Sequence, residues 1–177
     1  MQSAKSTFLA QVLFYITSIF MFALPVLILF MVIQNPLSPE TAAMVFPDIN
    51  ILAPPPKLAL YAVFAFNLLG ICVLIWILSQ MRKLFDQYRK GNALTLRAAG
   101  HIRQIGSGLL ALAILRLFTL PITSVLLTMS NPENSRELSV ALGDSEIGFL
   151  LAGGLITLIG WAMHDAAHIA EENKGFV

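Results

Sequence analysis

Long apolar runs interrupted by one basic segment constrain this chain more than any other feature. Phe8 to Ile33 is 26 residues without a charge. A bilayer core needs about 20 helical residues, so this run spans with tilt to spare. Leu58–Ser79, Ile105–Met129 and Ile147–Met163 are further spans within the workable range of about 17–25 residues. With 57% hydrophobic and only 12% charged residues, the chain has too little polar surface for a soluble domain. The expected fold is an all-α membrane protein, one membrane domain over residues 1–177 with four transmembrane helices. The first run is too long for a signal-peptide core and lacks a small-x-small cleavage site, so it is expected to stay attached. Pro25 is expected to kink it.

The basic segment fixes the rest. Six of the eleven Lys and Arg residues fall between Arg82 and Arg103. Met81, Leu84, Phe85 and Tyr88 recur at helical spacing, with Arg82, Lys83, Arg89 and Lys90 around the other face. Gly91 suits a left-handed C-cap, and Thr95 suits the N-cap of the helix that follows. Leu96, Ala99, Ile102 and Ile105 make that helix's apolar face. Residues 80–104 therefore read as a helical cytoplasmic hairpin between the second and third spans. With the N-terminus inside, Lys5, these six residues and Lys174 all lie on one side, against Lys57 and Arg136 on the other. Positive charge accumulates on the cytoplasmic side, so both termini are expected there. The outer loops are then 34–57 and 130–146. Pro36, Pro39, Pro47 and Pro54–Pro56 are expected to prevent a regular helix through the first, with Asn35–Glu40 as a turn. Apolar Met44, Phe46 and Ile51 suggest that this loop lies against the membrane surface.

Polar residues inside the spans are the first candidate site. Arg116 stands near the middle of the third span, where an arginine costs about 2.5–3.5 kcal/mol to insert. It is expected to face the bundle interior, with Thr119 and Thr123 on the same helical face. No carboxylate lies within the runs as drawn, so Asn67, a hydroxyl or backbone carbonyls are its expected partners. Asn67 itself is expected to bond a neighbouring helix. Gly153, Thr157 and Gly160 in the fourth span make a small-residue packing face. In the tail 164–177, His164, His168 and Glu172 follow one another at one-turn intervals, a weak candidate for a divalent metal. A solvated helix face explains them as well, and neither a metal nor a cofactor is expected. Cys72 lies in an apolar run, so it reads as a small lipid-facing or buried residue.

Two stretches carry a family resemblance. Leu84-Phe85-x-x-Tyr88-x-x-Gly91, Leu94-Thr95 and Arg103-Gln104-Ile105-Gly106 resemble the hairpin of the bacterial DUF2975 family, a domain of unknown function. Phe149–Ile156 and the ending Glu171–Val177 resemble its closing motif. Leu-Arg before the Ile-Gly is commoner in that pattern than the Arg103-Gln104 found here. The resemblance implies a four-helix bacterial inner-membrane protein without assigned activity. Members resemble small membrane proteins that accompany a helix-turn-helix transcriptional regulator, and the family lends no site residues.

The leading expectation is a regulatory or interaction protein that binds a cytoplasmic partner through Arg82, Lys83, Tyr88, Arg89, Lys90 and Thr95. Tail residues Glu171 and Glu172 would pair with the hairpin until a partner displaced them. The rival is a small oligomeric transporter or channel subunit, a homo-oligomer working through Arg116 and Asn67. Cation export is disfavoured because the first span lacks a carboxylate. Catalysis is not expected, since Ser107 has no base at membrane depth and no metalloprotease or paired-aspartate motif occurs. Net charge of +1 leaves no basic face for direct nucleic-acid binding once the hairpin is assigned. The lipid bilayer is the one partner that composition alone implies.

Overall fold

The computed structural model describes residues 4–34, 38–140 and 143–174 of the chain. These residues form α1 (Ala4–Gln34), α2 (Pro39–Val45), α3 (Lys57–Arg89), α4 (Leu96–Thr128) and α5 (Asp144–Lys174), with a short 3-10 turn at Glu133–Ser135. There is no strand among them. All but α2 are long and apolar enough to cross a membrane.

Local chemistry accounts for the boundaries. The Thr95 hydroxyl accepts from Ala98 N–H at 3.2 Å and opens α4. Gly91 turns the chain after α3 at φ +82°, a conformation glycine adopts without strain. Proline does not keep the first loop free of helix, as the sequence suggests. Pro39 occupies the first turn of α2, where a missing N–H costs nothing, and Ser38 caps Thr41 N–H at 3.2 Å. The expected turn therefore gives way to helix from Pro39; Asn35–Leu37 lies outside the described residues, as does the closing Gly175–Val177.

The long helices do not close into a bundle. They stand in a row, α1 against α3, α3 against α4 and α4 against α5, with only slight contact between other pairs. The α4–α5 seam is the tightest. A side-chain carbon added at Gly106 would lie 2.8 Å from Gly153 O, and one at Gly160 would lie 2.7 Å from Arg103 N. Small residues on both helices thus let the two backbones touch. Gly108 makes the same allowance for Trp76 and Ile77 of α3.

These contacts set the helices' relative heights. Gly160 opposite Arg103 and Gly153 opposite Leu110 describe one antiparallel register, which brings the first turn of α5 beside Arg116. Gly70 against Leu115 brings Asn67 to that level. Phe14 lies under Arg82 and Arg89. At ~1.5 Å per residue, Gln34 at the end of α1 then stands within about one turn of Asn67's height. Above this level α3 and α4 continue with only α2 and the loops for company. Leu60, Val63 and Leu127 bury there against Ala42 and Ile49. Below it, Ile77, Leu84, Ala98, Ile102, Ile105 and Leu112 form the main core.

Asn131 holds the upper end together. Its Oδ1 accepts from Leu52 and Ala53 N–H, both at 3.0 Å, and its Nδ2 donates to Asn50 and Ser135 carbonyls at 2.8 and 3.0 Å. The chain then runs back down along α4. Glu137 N–H donates to the Thr128 hydroxyl at 3.1 Å and Ser139 N–H to the Ser124 hydroxyl at 3.0 Å. This descent lets α5 begin at Asp144, far below the end of α4.

Candidate functional site

A cavity of about 470 Å³ opens between α3, α4 and the first turns of α5. Asn67, Arg116, Thr119, Thr123 and Glu146 supply its polar wall. The structure thus gathers all four polar residues singled out within the spans, and adds Glu146.

Arg116 departs from expectation in exposure and partner. Its side chain is 52% exposed on an open row, not enclosed by a bundle. Its neighbour is a carboxylate: Glu146 Oε1 lies 3.9 Å from Nη1, and the Phe149 ring centroid lies 5.7 Å from the guanidinium carbon. The cause is the early start of α5, which turns Glu146 from a loop residue into a helix residue facing α4. At 3.9 Å the pair is an ionic contact without a hydrogen bond. None of the guanidinium's donors has a hydrogen-bond partner among the described residues.

Asn67 also differs. Its amide donates to Val63 O of its own helix at 2.9 Å, because α4 presents Arg116 and a cavity there instead of an acceptor. Thr119 donates to Leu115 O at 2.8 Å, the ordinary solution for a helical threonine. Thr17, Thr128 and Thr157 use the same one-turn-back carbonyl. Thr123 does not. Its side chain is fully buried, lines the cavity, and its hydroxyl bonds to nothing among the described residues.

The basic residues around the α3–α4 turn are largely engaged within the chain. Arg89 pairs with Asp86 at 2.7 Å, and Lys90 pairs with the other oxygen of the same carboxylate. The Lys90 hydrogen bond, with Arg89 assisting, holds the Asp86 carboxyl below its usual range. Arg82 and Arg89 also stack on the Phe14 ring at 5.2 and 4.6 Å. Arg82 and Lys83 line a shallow groove of about 490 Å³ between α1 and α3. Tyr88 is half-buried against the main core, Thr95 is spent as a cap, and Arg103 covers Trp161 at 5.3 Å. Leu94 alone stands out at the tip, 75% exposed.

In α5, His164 Nδ1 lies 3.6 Å from Asp165 and His168 Nδ1 lies 3.5 Å from Glu172. The two histidines and Glu172 do not converge, and no group of three metal-ligating side chains occurs among the described residues. Glu172 meets His168, and among the described residues no ion pair joins the tail to the turn. The expected tail–hairpin pairing is therefore not formed.

Nothing in the sequence advertised Glu146, Asn131 or the Gln80–His101 bond, which joins α3 to α4 at 3.0 Å. Each depends on a partner 21 to 81 positions away. A family described as "Protein of unknown function (DUF2975)" matches residues 30–175. No curated protein and no solved structure matches the chain.

Proposed function

The chain belongs to the DUF2975 family, and from that premise we propose that it is a multi-pass regulatory protein of the bacterial inner membrane. Its N-terminus, α3–α4 turn and C-terminal helix end face the cytoplasm, and the turn docks a cytoplasmic protein. The charge count supports this orientation. So does the spacing of two polar belts: Arg82, Lys83 and Arg103 with Trp161 below, Arg116 and Glu146 above. Arg103 and Arg116 are roughly 20 Å apart along α4, and side chains reaching outward at both ends cover the ~30 Å hydrocarbon core.

Leu94 is the observation that carries the docking reading. A large apolar side chain, 75% exposed, sits at the tip of a turn whose backbone is pinned by Gly91 and the Thr95 cap. Arg89 and Lys90 beside it are partnered by Asp86, which leaves Leu94 as an apolar knob flanked by the exposed Arg97. Seated in a partner's pocket, such a side chain would lose its apolar exposure to water, which favours association. A small helix-turn-helix regulator is the partner class that the family resemblance suggests.

Two experiments test this. Leu94→Cys in a Cys72→Ala background should react with a membrane-impermeant thiol reagent in inverted vesicles and not in intact spheroplasts. The reverse pattern overturns the orientation. A photo-crosslinking residue at position 94 should capture one recurrent cytoplasmic protein, and Leu94→Ser should abolish co-purification of that protein. Capture of lipid and of the chain itself alone overturns docking.

A second reading, an oligomeric transporter or channel subunit, draws on the half-exposed Arg116 beside Asn67 and Thr119. An open row encloses no passage, so this reading needs a second copy. Anion flux in liposomes that disappears in Arg116→Leu would favour it.

A further inference from the structure

We propose that the Arg116–Glu146 cavity is a binding site for a zwitterionic phospholipid, with the phosphate on Arg116 and an ethanolamine-type ammonium on Glu146. The inference goes beyond the docking reading and stands whether or not the turn binds a protein, since the cavity lies toward the opposite end of the row.

Three observations converge. The first is charge complementarity. The guanidinium and the carboxylate lie 3.9 Å apart, wider than the two parallel bonds that Arg–carboxylate pairs often make. Among the described residues no hydrogen bond engages the guanidinium, and a cation beside an anion offers complementary seats for the two charges of a zwitterion. The second is the buried Thr123 hydroxyl. An unpartnered hydroxyl in a sealed site costs free energy unless something completes it, and this one lies in the wall of the cavity, two turns above Arg116. It marks this wall as one that side-chain packing alone does not complete.

The third is a gradient of polarity. The polar wall ends at Asn67. Below it the cavity continues past Ile71, Leu74 and Leu112, roughly 10 Å deeper along α3. A water-soluble zwitterion has no use for that apolar floor, whereas an acyl chain fills it. Arg116 at the height of the helix ends puts the phosphate where lipid phosphates lie and the floor where their chains lie. Phospholipid is therefore the source to which the geometry commits, in place of a free phosphate or amino acid.

The test is native mass spectrometry of the full chain in delipidating detergent. It is titrated with dioleoyl phosphatidylethanolamine or dioleoyl phosphatidylglycerol, with soluble glycerophosphoethanolamine as competitor. The ethanolamine lipid should be retained several-fold better than the glycerol lipid. Glu146→Gln should erase that preference by weakening the ethanolamine lipid alone, and Arg116→Leu should weaken both by about tenfold, the worth of a charge-assisted hydrogen bond. Arg116→Gln is closer in size and polarity and should also weaken both lipids, which keeps the test open should Arg116→Leu fail to fold. Equal retention of the two lipids by the unmodified chain overturns the proposal. So does a Glu146→Gln protein with its preference intact, which would mark annular lipid only. Displacement by glycerophosphoethanolamine at equal concentration would also overturn it, and would assign the site to a soluble zwitterion.

Discussion

Alanine at Gly106 and at Gly154 should move stability in opposite directions. Both glycines are helical, so replacing either relieves the entropic penalty of glycine, about 0.5–1 kcal/mol in an exposed helix. At Gly154 nothing lies within 4 Å of the new carbon, and that gain stands alone. At Gly106 the same carbon would lie 2.5 Å from Thr157 N and 2.8 Å from Gly153 O. Ordinary contact begins near 3.4 Å, so α4 and α5 must part by about 0.6–0.9 Å. The obstacles are backbone atoms and have no rotamer through which to yield. Overpacking of this kind costs about 1–3 kcal/mol, so a net loss of about 0.5–2 kcal/mol remains after the propensity gain. Unfolding of the full chain by SDS titration from dodecylmaltoside, followed by helical circular dichroism, measures both variants on one scale. Equal shifts for Gly106→Ala and Gly154→Ala would refute the backbone contact, and the α4–α5 register would fall with it.

Three further outcomes follow from named contacts. Thr123→Val in delipidated protein should raise stability by about 1 kcal/mol or more, because it deletes a buried hydroxyl with no partner; a loss would mean the hydroxyl is bonded after all. Asn131→Ala should cost more than about 3 kcal/mol in the same titration, since two amide hydrogens and two carbonyls lose their partner at a buried site. Its loss should exceed that of Asn131→Asp, which keeps the acceptor oxygens. Thr95→Ala should cost about 1 kcal/mol by removing the cap of α4, and Thr95→Ser should restore most of it.

What could be read in advance was what rests on local chemistry. The long helices follow from run length and composition, Gly91 and Thr95 from backbone preference, and the Gly153–Thr157–Gly160 face from periodicity. Most of what differs depends on a distant segment. Arg116 is half exposed because the long helices form a row, which its own run does not show. Glu146 belongs to α5 because residues 136–140 retreat along Ser124 and Thr128 before that helix begins. Asn67 bonds within its own helix because α4 offers a cavity there. Pro39 differs for a local reason: in a first turn proline starts a helix and does not break it.

The single-sided attachment of α1 has a consequence for assembly. α1 precedes α3 in the chain and enters the bilayer before α3, its one substantial neighbour among the described residues, has been synthesised. The α3–α4–α5 row, with its glycine seam and its own capped turn, draws none of its main contacts from α1 and can finish packing while α1 waits nearby. Docking of α1 then comes last, along a seam that buries Ala10 and Thr17 and seats Phe14 beneath Arg82 and Arg89. Any second copy in the membrane displays that same arginine seat. The connection between α1 and its own α3 is thus a question of tether length and local concentration as much as of fit, and α1 is the helix most free to be exchanged between copies.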